Sequence, residues 1–86
     1  MASFKKIEKM LRTVIKEWGE REVAKMCNEY GEWEIGEQIS GLLEKGDIDA
    51  AMKLIMKGLT KKLIDKEGLE SELEVIIDEM ELPTEI

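Results

Sequence analysis

The stretch SFKKIEKMLRTVIKEWG, residues 3–19, decides the fold class. Phe4, Ile7, Met10, Leu11, Val14, Ile15 and Trp18 recur at steps of three and four residues. That spacing lays one apolar stripe along a helix of 3.6 residues per turn. Ser3 is placed to cap the start, and Gly19 to supply the positive-φ residue past the end. Lys5, Lys6, Lys9, Arg12 and Lys16 lie opposite the stripe. Taken alone, such a helix also suits a membrane surface or a calmodulin-like receptor. A bundle helix with a solvated basic face is the better reading, because the remaining segments carry apolar stripes that need a partner.

Outward from this helix the pattern repeats. Val23, Met26, Cys27 and Tyr30 mark a helix over 20–30, with Glu20 and Glu22 in its first turn, where they favour the helix dipole. Gly31 ends or kinks it. Trp33, Ile35, Ile39, Leu42 and Leu43 mark a third helix over 32–45, in which Gly36 and Ser40 leave room for a neighbouring helix. Gly46 and Asp47 form a stop and a start. A fourth helix is expected over 48–66, with Ala51, Met52, Ile55, Leu59 and Leu63 on its buried side, ended by Gly68. The last is expected over 69–81, with a capping box from Ser71 and Glu74 as an alternative start, and Pro83 stops it. No alternating run rich in β-branched residues predicts a sheet. The expectation is all-α: one domain over 1–86, a compact bundle of four to five short antiparallel helices.

Residues 43–59, LEKGDIDAAMKLIMKGL, are similar to the turn and second helix of a tetratricopeptide repeat, over about one half-repeat. A solenoid needs several stacked units and this chain has one, so the segment is read as a general helix–turn–helix connection.

A chain of 86 residues buries only roughly 60–65% of its unfolded surface. Disulfides, a metal or a partner usually make up the difference. Cys27 is the sole cysteine and there is no histidine, which excludes an internal disulfide and a zinc site. No apolar run is long enough for a membrane span, and no leader is evident. With an unpaired thiol this points to the cytoplasm.

Chemistry is sparse. Without histidine the commonest general base is missing, and no base adjoins a Ser or Cys27 in sequence. Cys27 lies on an apolar stripe and reads as a small core residue. Asp47 and Asp49 alternate as in a calcium loop, but Ala50 and Ala51 follow where further oxygen ligands belong, so capping is favoured. The chain is expected not to be an enzyme and to need no cofactor.

Charge is organised. Residues 1–18 hold five Lys/Arg against two acids, 20–49 three against nine, 50–66 five against one, and 67–86 none against eight, for a net charge of −7. Helices 20–30 and 32–45 have the outline of a helix-turn-helix, but Glu32, Glu34, Glu37 and Glu44 give the second helix the wrong sign for DNA, so direct nucleic-acid binding is not expected. Lys53, Lys57 and Lys61 lie four apart on one helical face. They read as a solvated face or as a dock for an acidic surface, the nearest being the chain's own last helix; such exposed pairs add about 0–1 kcal/mol each and set orientation.

These features lead to a small non-catalytic protein that binds another protein, as a homodimer or in a hetero-complex. Its candidate surface is Lys53, Lys57, Lys61, Glu32, Glu34, Glu37 and Trp33. Two alternatives remain at this stage. One is an acidic inhibitor, of the kind carried by phages and mobile elements, that fills another protein's nucleic-acid site. The other is a transcriptional regulator built on the helix-turn-helix outline.

Overall fold

A computed structural model describes residues 4–81. They form five helices: α1 (Phe4–Trp18), α2 (Glu20–Tyr30), α3 (Trp33–Glu44), α4 (Ile48–Thr60) and α5 (Lys66–Glu81). The expected all-α bundle is what the chain adopts, and among the described residues there is no strand. Ser3 and Pro83 lie outside the described residues.

The core follows the sequence stripes. Ile7, Leu11 and Val14 of α1 are fully buried, as are Val23 and Cys27 of α2, Ile39 of α3, Ile55 of α4, and Leu69 and Leu73 of α5. These side chains join one apolar cluster drawn from every helix. Removing apolar area from water at about 25 cal/mol per Å² is the main force holding such a bundle. No polar or charged side chain among the described residues is buried, so no side-chain desolvation cost in the core offsets that gain. The stripe of α1 is therefore spent on the core and not on a membrane. Its two ends are not: Phe4 and Trp18 are exposed.

α1 packs on α2 and α5 and touches α4; α2 also packs on α5, and α4 leans on α3. The tightest pairing is α2 with α3, and Gly36 explains it. A Cβ there would stand 2.6 Å from Asn28 Oδ1 and 3.3 Å from Asn28 Cα. Asn28 Nδ2 donates to Ser40 Oγ at 3.1 Å, so Gly36 and Ser40 admit α2 as their spacing predicts.

The two ends of α4 show how the sequence sets helix length. At its start, Gly46 takes φ +80 and Asp47 caps, its Oδ1 accepting a long 3.4 Å bond from the Ala50 N–H. The Asp47 N–H reaches back to the Leu42 carbonyl and the Gly46 N–H to Leu43, which closes α3 with a Schellman turn. At the other end, α4 stops at Thr60 and not at 66. Leu63 N–H donates to the Gly58 carbonyl at 2.8 Å and Lys62 N–H to Leu59 at 3.2 Å, the same turn again. Here the left-handed position, φ +63, is filled by Lys62. Leu63 leaves the buried side of α4 and is half-buried, while Ile64 leaves the helix and is buried.

The link that follows is pinned to the break between α2 and α3. A single antiparallel bridge joins Gly31 and Ile64. Glu32 N–H donates to the Leu63 carbonyl at 2.9 Å and Asp65 N–H to the Tyr30 carbonyl at 2.8 Å. A Cβ on Gly31 would stand 2.6 Å from the Cys27 carbonyl oxygen of its own helix and 3.3 Å from Ile64 Cγ1 across the bridge, so the turn out of α2 is made at a glycine. α2 and α3 are therefore separate helices. α5 starts at Lys66, three residues before the expected start, and Ser71 lies inside it. Gly68 does not break a helix. It sits in the first turn of α5 because the Tyr30 ring lies on it, 2.6 Å from where a Cβ would be.

Candidate interaction surfaces

Two charged faces and one aromatic residue stand out. Lys53, Lys57 and Lys61 are all exposed on the side of α4 opposite Ala51, Ile55 and Leu59. The expected ion pairing of this row with α5 is not present: among the described residues none of the three lysines pairs with a carboxylate, and α4 does not pack on α5. The basic helix that meets α5 is α1, where Lys6 Nζ lies 3.9 Å from Glu74 Oε2 and Lys66 stands 5.9 Å over the Phe4 ring. α1 also reaches α4. Arg12 donates to Asp49 Oδ1 at 2.9 Å and to Glu8 Oε2 at 3.0 Å. These two acceptors hold the Arg12 proton more firmly than usual, Asp49 first and Glu8 second.

Between α1 and α4 lies a crevice of about 470 Å³ lined by Glu8, Arg12, Asp49, Met52, Lys53 and Met56. Met52 is buried and Met56 half-buried, so they form the apolar floor. Its rims are basic. Lys5, Lys9, Arg12 and Lys16 follow one another at helical steps along the exposed side of α1, and Lys53 and Lys57 stand on α4. Sequence periodicity assigns each row to its helix but not the rotation of one helix against the other, so it missed this crevice. The i, i+4 row of methionines at 52 and 56 was its only signal.

The acidic candidates lie on a different face. Glu32, Glu34 and Glu37 are exposed at the start of α3, and Trp33 among them is 74% exposed. The apolar spacing placed Trp33 on the buried stripe. It lies outside the core because Ile35 and Ile39 already face inward, and Trp33 sits two residues before Ile35, on the far side of the first turn. The bond from Glu32 to Leu63 sets the basic turn at 61–62 beside this acidic row. The candidate residues thus form two neighbouring faces of opposite sign, with no ion pair between them among the described residues.

A wider groove of about 990 Å³ lies where α1 passes into α2, with Trp18, Arg21, Lys25, Asn28, Ser40 and Glu44 in its lining. Its charges are mixed and select no ligand.

Cys27 lies beneath these surfaces. Burial pushes its thiol up to about 12, which keeps it protonated and unreactive at neutral pH. Tyr30 is also raised, by desolvation first and then by the bond its hydroxyl donates to Glu72 Oε1 at 3.2 Å. Among the described residues no three His, Cys, Asp or Glu side chains gather closely enough to hold a metal ion, and no helix is long and apolar enough to cross a membrane.

Comparison with protein-family models, with curated proteins and with solved structures finds no match for this chain.

Proposed function

We propose that this chain is a non-catalytic interaction protein that binds another protein through the charged faces of its bundle. Trp33 carries the reading. It leaves most of a large indole in water on a helix that buries Ile35, Ile39 and Leu43 without its help. An aromatic residue so exposed adds little to the core, yet tryptophan is among the side chains most enriched at the energetic centre of interfaces. Glu32, Glu34 and Glu37 around it would steer a basic partner and fix its orientation. An occupant of a nucleic-acid site needs an unbroken acidic surface, and the basic turn beside Glu32 argues against that alternative.

The test is capture from lysate of the source cell with wild-type protein and with Trp33→Ala. The substitution is expected to leave stability within about 0.5 kcal/mol of wild type, as for other exposed sites away from special features. It is expected to abolish retention of proteins that the wild type holds. Identical retention by the two, or none by either, would refute the reading.

A further inference from the structure

We propose that the lysine-bearing side of α4, at the edge of its crevice with α1, receives the outer face of α5 from a second copy of this chain. The inference rests on the interaction-protein reading and names a partner for a surface that reading leaves open. Two observations on the two faces match.

The first is charge. Among the described residues Lys53, Lys57 and Lys61 form no ion pair, and their i, i+4 spacing makes them repel one another until an anionic surface arrives. The outer face of α5 is anionic, with Asp78 and Glu79 exposed and no basic residue beyond Lys66 anywhere on that helix. Within one molecule α5 already meets a basic helix through Lys6 and Glu74, so this pairing of signs is one the chain uses.

The second is an apolar knob. Val75 is 59% exposed in the middle of α5, on a helix whose Leu69, Leu73 and Ile76 face the core. Its helical neighbours at minus four, plus three and plus four are Ser71, Asp78 and Glu79. An isolated valine ringed by a hydroxyl and two carboxylates is the complement of half-buried Met56 with Lys53 and Lys57 beside it, while the crevice's own carboxylates, Glu8 and Asp49, are paired with Arg12. Methionine side chains adapt to such a knob.

Placed antiparallel with Val75 over Met56, the two helices set Asp78 and Glu79 three to four residues along, level with Lys53 and a turn from Lys57.

Sedimentation equilibrium of the full chain, with two charge-reversed variants, tests this. The wild type is expected to self-associate at about 0.1 M salt, where contact pairs survive screening. Lys53→Glu with Lys57→Glu, and separately Asp78→Lys with Glu79→Lys, are each expected to weaken association roughly tenfold or more, since each sets like charges face to face. All four positions are exposed, and circular dichroism checks that the helices persist. Mixing the two variants restores complementary faces and is expected to restore association. A wild type that stays monomeric to about 1 mM, or variants that fail to associate when mixed although the wild type does, would overturn the proposal. A monomer that still retains a protein through Trp33 overturns only this inference, whereas self-association with no Trp33-dependent capture overturns only the Trp33 reading.

Discussion

Replacing Lys62 by glycine is expected to stabilise the protein, although the change removes a side chain and touches no other. Lys62 holds φ +63 at the turn that ends α4. A left-handed conformation costs a residue with a Cβ about 1–2 kcal/mol. Glycine avoids that cost but brings an unfolded-state entropy penalty of about 0.5–1 kcal/mol. The net gain is about 0.5–1 kcal/mol. Both backbone bonds of the turn, from Leu63 to Gly58 and from Lys62 to Leu59, are kept. Lys62 forms no ion pair among the described residues, so no electrostatic loss opposes the gain. With a urea dependence of about 1 kcal/mol per M for a chain this small, the midpoint should rise by about 0.5–1 M. The melting temperature should rise by about 2–8 °C. An unchanged or lower midpoint, with the urea dependence itself constant, would refute the assignment of helix end and backbone strain to this residue.

Two further predictions concern the interior. Gly31→Ala forces a Cβ to within 2.6 Å of the Cys27 carbonyl and is expected to cost about 1–3 kcal/mol, as overpacking does; hydrogen exchange should show the Glu32 and Asp65 amides losing protection before those of α1. Cys27 predicts a pH dependence. Its folded pKa of about 12 lies above the unfolded value, so only the unfolded state ionises between about pH 9 and 12. Stability carried by the protonated thiol is complete below that window and is lost as pH rises through it, by up to about 1.4 kcal/mol per unit. Cys27→Ala should remove that part of the slope in urea titrations at pH 9 to 11, and a slope identical in the two proteins would contradict the thiol's burial.

The sequence was most legible where one physical signal was strong and local. The bounds of α2, the stop at Gly46 with the cap at Asp47, and the close approach at Gly36 follow from stripe, turn residue and helix spacing alone. The end of α4 did not, because the usual sign of a left-handed turn is glycine and the chain uses Lys62. Leu63 and Ile64 also prolong the apolar stripe, and only the bridge to Gly31, more than thirty residues away, shows that they have left the helix. Gly68 misled in the opposite direction, since its small size serves the Tyr30 ring and not a break. The same limit applies to the surfaces. Lys53, Lys57 and Lys61 were readable as a row, and Glu32, Glu34 and Glu37 as another. Which helix each row faces depends on how α1 lies between α4 and α5, and periodicity carries no information about that. Alternating charge does accompany helix pairing, but it joins α1 to α5 and to Asp49 of α4, and among the described residues it leaves Lys53, Lys57 and Lys61 without an ion pair.

Those unpaired lysines are tested most directly by the mass of the wild-type protein measured by sedimentation equilibrium across ionic strength. Each copy carries −7 overall, so two copies repel at long range, while on the proposed pairing the faces of α4 and α5 attract at contact. At about 10 mM salt the screening length of roughly 30 Å lets the net repulsion act, and at about 1 M the roughly 3 Å length suppresses the contact pairs as well. Association is therefore expected to be strongest near 0.1 M and weaker at both extremes. A mass that stays at 9.9 kDa throughout, or that only rises with salt, would contradict pairing of these charged faces.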